Sequence, residues 1–198
     1  GHRAGDYASR LCVETMVQSL EKSAHKTPVS LFEEAVTAAN KAVFEDSASH
    51  VEYEGMGTTV VACTLEENTL YITNIGDSRL YLIRDGIEQI TDDHSLVEEM
   101  VKQGNITESE ARIHPQKNII TRALGINEEV QADFFEIDVE QGDVIMLCSD
   151  GLSNMIEDED MEYIVKNSDT LQTAAESLVA RANENGGNDN ITVVLAEV

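Results

Sequence analysis

Two long stretches near the start of the chain carry hydrophobic residues every three or four positions, and this spacing predicts amphipathic helices. The first covers residues 4–21, and the second runs from about residue 30 to residue 49. Ser30 and Glu33 stand three residues apart and match a capping box, so we expect the second helix to begin there. Shorter helices are expected over residues 95–104, 159–166 and 170–183. A further capping box at 107–110 predicts the start of another short helix.

Runs of β-branched and aromatic residues between these helices predict strands. The runs are residues 58–65, 69–75, 79–83, 119–123, 131–137, 144–148 and 191–196. The first three follow one another closely and are expected to be sequential and antiparallel, and Asp85-Gly86 marks a hairpin turn. Because strands come in runs and helices are grouped, the pattern predicts an α+β fold with antiparallel sheets.

Length and composition are those of one globular domain. The 198 residues are 41% hydrophobic without a long apolar run, and nothing resembles a signal peptide. Thirteen basic against 38 acidic residues give a net charge of −25, which would repel nucleic acid and an anionic membrane surface. Both are therefore excluded as partners. An odd number of scattered cysteines, Cys12, Cys63 and Cys148, predicts buried free thiols and a reducing cytoplasm.

Four aspartates stand where a predicted strand meets a turn, and they are the candidates for chemistry. They are Asp77, Asp93, Asp150 and Asp189. Each alone can be explained as a turn or cap residue, since Asp favours turns. Together, carboxylates at strand ends can converge at one rim of a sheet and form the oxygen ligand set that Mg²⁺ or Mn²⁺ needs. No histidine or cysteine pair has the spacing of a zinc site.

Six motifs extend this interpretation to a family. They are GMGTT at residues 55–59, NIGDSRLYLIRDG at 74–86, DHSLV at 93–97, HPQKNIITRALG at 114–125, LCSDGL at 147–152 and GGNDNITVV at 186–194. Their order and spacing resemble those of bacterial serine/threonine phosphatases of the metal-dependent, protein phosphatase 2C-like kind. The resemblance implies two antiparallel sheets sandwiched between helix pairs, an αββα arrangement, with residues 95–120 as a flap beside the active site.

The resemblance also implies roles for the aspartates. Asp150 and Asp189 would bind one catalytic metal, and Asp93 with Asp150 would hold a weaker third ion, whereas we expect Asp77 to order its turn and pair with Arg79. Two core Mn²⁺ or Mg²⁺ ions would activate a water that attacks phosphoserine or phosphothreonine in proteins, without a phosphoenzyme. The expected partners are phosphoproteins and a cognate serine/threonine kinase with its substrates, and the expected state is a cytoplasmic monomer.

One expected motif is absent from the sequence. In the family, the string GHRAGDYAS follows an Asp-Gly-Met-Gly segment whose Asp bridges the two core metals, and upstream strands precede it. We therefore expect residues 1–198 to be one catalytic domain lacking its N-terminal segment, with the bridging Asp before Gly1 and no catalytic side chain assignable here. Two alternatives stay open: a phosphatase-like binding module that hydrolyses nothing, and a metal-dependent hydrolase of another phosphate ester.

Overall fold

Two antiparallel sheets form the centre of the structure, a computed structural model that describes residues 4–24 and 27–198. The first sheet has the strand order β1-β2-β5 and the second the order β4-β3-β6-β7. The strands are β1 (Val60–Glu66), β2 (Thr69–Ile75), β3 (Arg79–Ile83), β4 (Ile87–Gln89), β5 (Asp133–Asp138), β6 (Val144–Cys148) and β7 (Val193–Glu197).

Alternation of side chains along the strands separates the layers. In β3, Leu80 and Leu82 point toward the other sheet, whereas Tyr81 and Ile83 point toward the helices. The layer between the sheets contains Leu70, Ile72, Leu80, Leu82, Val139 and Ile145. Both faces of each central strand are therefore buried, as the apolar run of β6 predicts.

Helices cover the outer face of each sheet. The helices are α1 (Gly5–Lys22), α2 (Pro28–Ser49), α3 (Leu96–Lys102), α4 (Glu108–Ile113), α5 (Asp150–Ser153), α6 (Asp158–Lys166) and α7 (Leu171–Glu184). One apolar cluster joins α1 and α2 to the first sheet, and another joins α5, α6 and α7 to the second. The predicted αββα arrangement is confirmed. Among the described residues, no helix is long and apolar enough to cross a membrane.

Several sequence-based boundaries are correct to the residue. The bounds of β2, β3 and β6 match the prediction, and both the hairpin at 85–86 and the capping box of Thr107 with Glu110 are present. The long helices α1 and α2 end within one residue of their predicted ends. These elements combine a clear period with a clear stop signal, which explains the agreement.

Three expectations are wrong. Helix α2 begins at Pro28 with Thr27 as its N-cap, because proline suits the first helical position, so Ser30 and Glu33 lie within the first turns and form no capping box. Residues 119–123 form no strand and make only an isolated bridge between Ser95 and Ile120. Strands β2 and β3 are consecutive but belong to different sheets, since the chain crosses between the layers after Ile75.

The segment 95–120 projects from the second sheet and carries α3 and α4, neither of which contains a buried residue. Its base is fixed by the Leu96 amide, which donates to the Ile119 carbonyl at 2.9 Å. At the far side, Arg112 donates to the carbonyl of Ile156 at 3.2 Å and pairs with Glu157. The flap interpretation of this segment stays a prediction.

We predict that amide hydrogens of α3 and α4 exchange much faster than those of β6, because few apolar contacts oppose local opening of the segment. Hydrogen exchange followed by mass spectrometry measures this, with β6 as the internal reference. Equal protection of the two regions would contradict the flap interpretation.

A buried carboxylate ties the β3–β4 hairpin to the start of β6. Asp143 is 3% exposed and accepts hydrogen bonds from Arg84 Nε at 2.8 Å and Arg84 Nη2 at 2.6 Å. The Glu140 amide donates to the same carboxylate at 2.8 Å. The hydrogen bond and charge of Arg84 hold the pKa of Asp143 below its usual range. Ionised Asp143 therefore stabilises the folded state.

We predict that Asp143→Asn lowers the Tm by a few degrees at pH 7, since it removes the charge that Arg84 neutralises. A carboxylate with a lowered folded pKa stabilises above its unfolded pKa and loses this effect as the pH falls through the folded pKa. The Tm difference should therefore shrink below about pH 4. The exposed Asp138→Asn is the matched control. A Tm difference that persists unchanged at low pH would contradict this account.

Candidate metal centre

Asp77 and Asp150 are brought together by the pairing of β3 with β6. In this antiparallel ladder Arg79 is paired with Cys148. The ladder ends at this pair; Asp77 precedes Arg79 by two residues and Asp150, the first residue of α5, follows Cys148 by two, so both aspartates lie just beyond the same end of the ladder. Both side chains line one groove at the end of the sandwich.

Asp189 reaches the same rim through a clamp between β6 and the segment before β7. The Ser149 amide donates to the Thr192 carbonyl at 3.1 Å, and the Thr192 amide donates to Ser149 Oγ at 3.0 Å. Ser149 Oγ also donates to the Asn190 carbonyl at 3.1 Å. Asp150 and Asp189 consequently share the wall of a second, smaller cavity next to the groove.

Gly151 is required for this close approach. A Cβ on Gly151 would overlap the carbonyl oxygen of Asn190, and backbone atoms cannot move aside as a flexible side chain can. The glycine of the Asp-Gly dipeptide after β6 therefore does more than form a turn. Because it has no side chain, the segment that carries Asp189 can pack against it.

Asp93 lies at the same rim but is already paired. Arg79 Nε donates to Asp93 Oδ1 at 2.9 Å, and Arg79 Nη2 donates to Asp93 Oδ2 at 2.8 Å. The two side chains are 22% and 11% exposed, so the pair is largely withdrawn from water. Arg79 Nη1 also donates to the Tyr81 hydroxyl at 2.9 Å. The expectation that Arg79 pairs with Asp77 is therefore wrong.

Asp77 lacks the cationic partner that Asp93 has in Arg79. Burial, followed by the charges of Asp150 and Asp93, raises the pKa of Asp77 to about 7. Burial and then the charge of Asp189 raise the pKa of Asp150. No described residue donates a side-chain hydrogen bond to Asp77 or forms an ion pair with it. Carboxylates that repel one another in this way are stabilised by a bound cation.

The donor set suits a hard divalent cation. Asp77, Asp150 and Asp189 offer only carboxylate oxygens, the ligands that Mg²⁺ and Mn²⁺ prefer. Over residues 4–24 and 27–198, no three His, Cys, Asp or Glu side chains lie close enough to hold one ion together. An ion at this rim would therefore take few carboxylates from the described chain and complete its shell with other oxygens, such as water.

His94 connects the segment before Asp77 to Asp133 through both ring nitrogens. Its Nδ1 accepts from the Gly76 amide at 2.9 Å, and its Nε2 lies 3.0 Å from Asp133 Oδ2 and 2.9 Å from Arg122 Nη1. The His94 amide in turn donates to the Gly76 carbonyl at 2.9 Å. Gly76, at a φ of 103°, is thereby fixed directly before Asp77. Helix α3 is capped by Ser95.

The described thiols are not poised for nucleophilic chemistry. Burial raises the pKa of Cys148, at the end of β6, to about 12. Burial also raises the pKa values of Cys12 and Cys63. A protonated thiol is a poor nucleophile. A covalent cysteine intermediate is accordingly not supported by these residues.

The structure thus brings Asp150 and Asp189 to one cavity, as expected, and it also places Asp77 in the same groove as Asp150, with Arg79 paired to Asp93 instead. The signal that identifies Asp77 is present in the sequence: two strands, 79–83 and 144–148, each have an aspartate two residues from the end. Had these strands been paired as antiparallel neighbours, Asp77 and Asp150 would have fallen just beyond the same end of the ladder. Pairing of strands distant in sequence was the missing information.

Comparison with known proteins assigns this chain to a family. Residues 1–196 match the family described as protein phosphatase 2C. The chain therefore belongs to the protein phosphatase 2C family. It is 39% identical to the serine/threonine phosphatase Stp of Listeria monocytogenes over 202 residues, which cover 100% of this chain and 80% of the relative. It is also 39% identical to the protein phosphatase PhpP of Streptococcus pneumoniae, covering 82% of that protein.

Solved structures agree with this assignment. The serine/threonine phosphatase Stp1 from Staphylococcus aureus superposes with a TM-score of 0.95 at 33% identity, covering 100% of this chain and 80% of that one. The catalytic domain of the phosphatase PstP, solved in complex with two manganese ions, superposes with a TM-score of 0.88 at 35% identity. That match covers 100% of this chain and 83% of the PstP chain.

We predict that Gly151→Ala weakens Mn²⁺ binding several-fold, because the added methyl group displaces the Asp189 segment from Asp150. Calorimetric titration with Mn²⁺ measures the effect. Gly86→Ala is the control, since a Cβ there meets nothing within 4 Å. Mn²⁺ affinity equal to that of the wild type in Gly151→Ala would show that the close approach is not needed for the site.

Proposed function

We propose that this chain forms the catalytic part of a metal-dependent phosphatase that hydrolyses phosphoserine and phosphothreonine in proteins. The observation that carries the proposal is that Asp150 shares a groove with Asp77 and an adjoining cavity with Asp189, in a chain of the protein phosphatase 2C family. Relatives named as serine/threonine phosphatases support this substrate class. They favour an active enzyme over a module that only binds.

Asp150 and Asp189 are the proposed ligands of a core divalent ion, Mn²⁺ or Mg²⁺, in a site with two such ions. Divalent ions supply Lewis-acid activation of water and of the phosphoryl group when bound. The chain orients its ligands by local hydrogen bonds: the Asn190 amide donates to Asp189 Oδ1 at 2.7 Å. Asn154 donates more weakly to Asp150 Oδ2, at 3.4 Å.

For a weaker third ion, the geometry favours Asp77 over Asp93 as the partner of Asp150. Both oxygens of Asp93 accept from Arg79, and an ion would have to displace the guanidinium from a buried pair. Asp77 faces Asp150 without such a partner. Our proposal therefore assigns Asp77 to the ion and gives Asp93 the task of holding Arg79 beside the rim.

Substrate access is proposed through the groove of about 590 Å³ between the segment 95–120 and helices α5 and α6. Phosphoproteins produced by a serine/threonine kinase are the proposed partners. The three free cysteines fit a reducing cytoplasm, and the net charge of −25 opposes self-association, which favours a monomer.

We predict that the full-length protein releases phosphate from a phosphothreonine peptide in the presence of Mn²⁺ and that EDTA abolishes the activity. Asp150→Asn and Asp189→Asn should each lower kcat/KM by more than about a hundredfold, because each removes charge from a ligand position. Excess Mn²⁺ should restore part of the activity in Asp189→Asn. Phosphate release that is indifferent to EDTA would overturn the proposed mechanism class.

The assignment of the third ion has its own test. Asp77→Asn should lose a weakly bound Mn²⁺ and lower turnover while the tightly bound ions remain, as followed by calorimetry and steady-state kinetics. Asp93→Asn should keep the weak ion. If instead Asp93→Asn loses the weak ion and Asp77→Asn keeps it, the original sequence-based assignment of Asp93 is the correct one.

A further inference from the structure

Lys117 occupies the junction between the two cavities of the site. It lines the large groove and also the smaller cavity beside Asp189, and it shares both positions with Asp150 and Asn154. The side chain is half-buried. A cation at this junction faces any group that approaches Asp150 from either cavity.

The backbone around Lys117 is held in consecutive turns. The Lys117 amide donates to the His114 carbonyl at 3.1 Å, and the Ile119 amide donates to the Gln116 carbonyl at 3.1 Å. The Gln116 amide also donates to His114 Nδ1 at 3.2 Å. The lysine therefore extends from an ordered turn close to the base of the segment 95–120, which limits the loss of entropy on binding.

Among the described residues, Lys117 has no ion-pair partner in the groove. Three described basic residues line the groove. Arg79 is paired with Asp93, and Arg112 is paired with Glu157 at 3.0 Å. No carboxylate of the described residues lies within ion-pair distance of Lys117, although most charged groups in the groove are acidic.

We infer that Lys117 is a substrate-positioning residue that binds the phosphoryl group being removed. This inference rests on the proposed phosphatase function. A phosphate monoester is a dianion and needs cationic donors in a groove walled by carboxylates. Among the basic residues that the structure describes in the groove, Lys117 is the one without an ion-pair partner. Lysine binds phosphate as a compact point charge with three donors, so it tolerates phosphoryl groups on serine and on threonine alike.

The test compares Lys117→Met, Lys117→Arg and the control Lys102→Met in the full-length protein with Mn²⁺. Lys102 is a lysine of the same segment that is paired with Asp92 at 2.8 Å and does not line the groove. Steady-state kinetics are measured with a phosphothreonine peptide and with p-nitrophenyl phosphate, and inorganic phosphate is titrated as an inhibitor. Calorimetry gives the affinities for Mn²⁺ and for inorganic phosphate.

We expect Lys117→Met to raise KM for both substrates and the inhibition constant of phosphate by about tenfold, the effect of one charge-assisted hydrogen bond. Lys117→Arg should have KM and inhibition constants close to those of the wild type, and so should Lys102→Met. The Mn²⁺ affinity should be the same in all variants. An effect confined to the peptide, or one explained by weaker Mn²⁺ binding, would overturn the inference.

Failure of the proposed function gives a different result. A wild-type protein that binds inorganic phosphate with Mn²⁺ but hydrolyses neither substrate would refute the phosphatase proposal alone. Weaker calorimetric binding of phosphate to Lys117→Met would still support the lysine's role, and unchanged binding would refute it.

Discussion

Mutual repulsion among carboxylates at one end of the sandwich is the constraint on which the rest of this structure depends. The pairing of β3 with β6 brings Asp77 and Asp150 to the same end of the sandwich, and the Ser149 clamp adds Asp189. Arg79, a largely buried cation nearby, is paired with Asp93. Burial and then the charges of neighbouring aspartates raise the pKa values of Asp77 and Asp150. In the proposed metal site, divalent ions would neutralise these carboxylates, so metal binding would stabilise the fold.

The surrounding framework keeps the carboxylates close despite this repulsion. Gly151 admits the backbone of Asn190, and Gly76 admits the side chain of Thr59. Hydrogen bonds of Ser149 and His94 fix the chain on either side. These supports belong to the sheets, whereas the opposite wall of the groove belongs to the segment 95–120, which has no buried residue in α3 or α4. In the proposed site, the ligands are therefore carried by the ends of the sheets, and the proposed substrate groove is bordered by the weakly buried segment 95–120.

The sequence was sufficient where a local signal determines the outcome. Strands β2, β3 and β6 have strong β propensity with clear turn signals, and Asp150 is conspicuous because it ends an apolar strand. It was insufficient where the answer depends on contacts distant in sequence. Whether Arg79 pairs with Asp77 or Asp93 depends on how the residues after β4 return to β3, and the hydrogen bond from Leu80 to Thr91 that fixes this return has no local signature. Lys117 is likewise informative only once the two cavities that it joins are known.

Thermal unfolding with and without Mn²⁺ tests the central claim, that carboxylate repulsion is relieved by bound divalent ions. Wild-type Tm should rise by several degrees as Mn²⁺ increases well above its dissociation constant, since a ligand of the folded state stabilises it. In EDTA, Asp150→Asn should be at least as stable as the wild type because one repelling charge is gone, and Mn²⁺ should stabilise it much less. A wild-type Tm that does not change with Mn²⁺ would contradict the account. So would an Asp150→Asn variant that is clearly less stable than the wild type in EDTA.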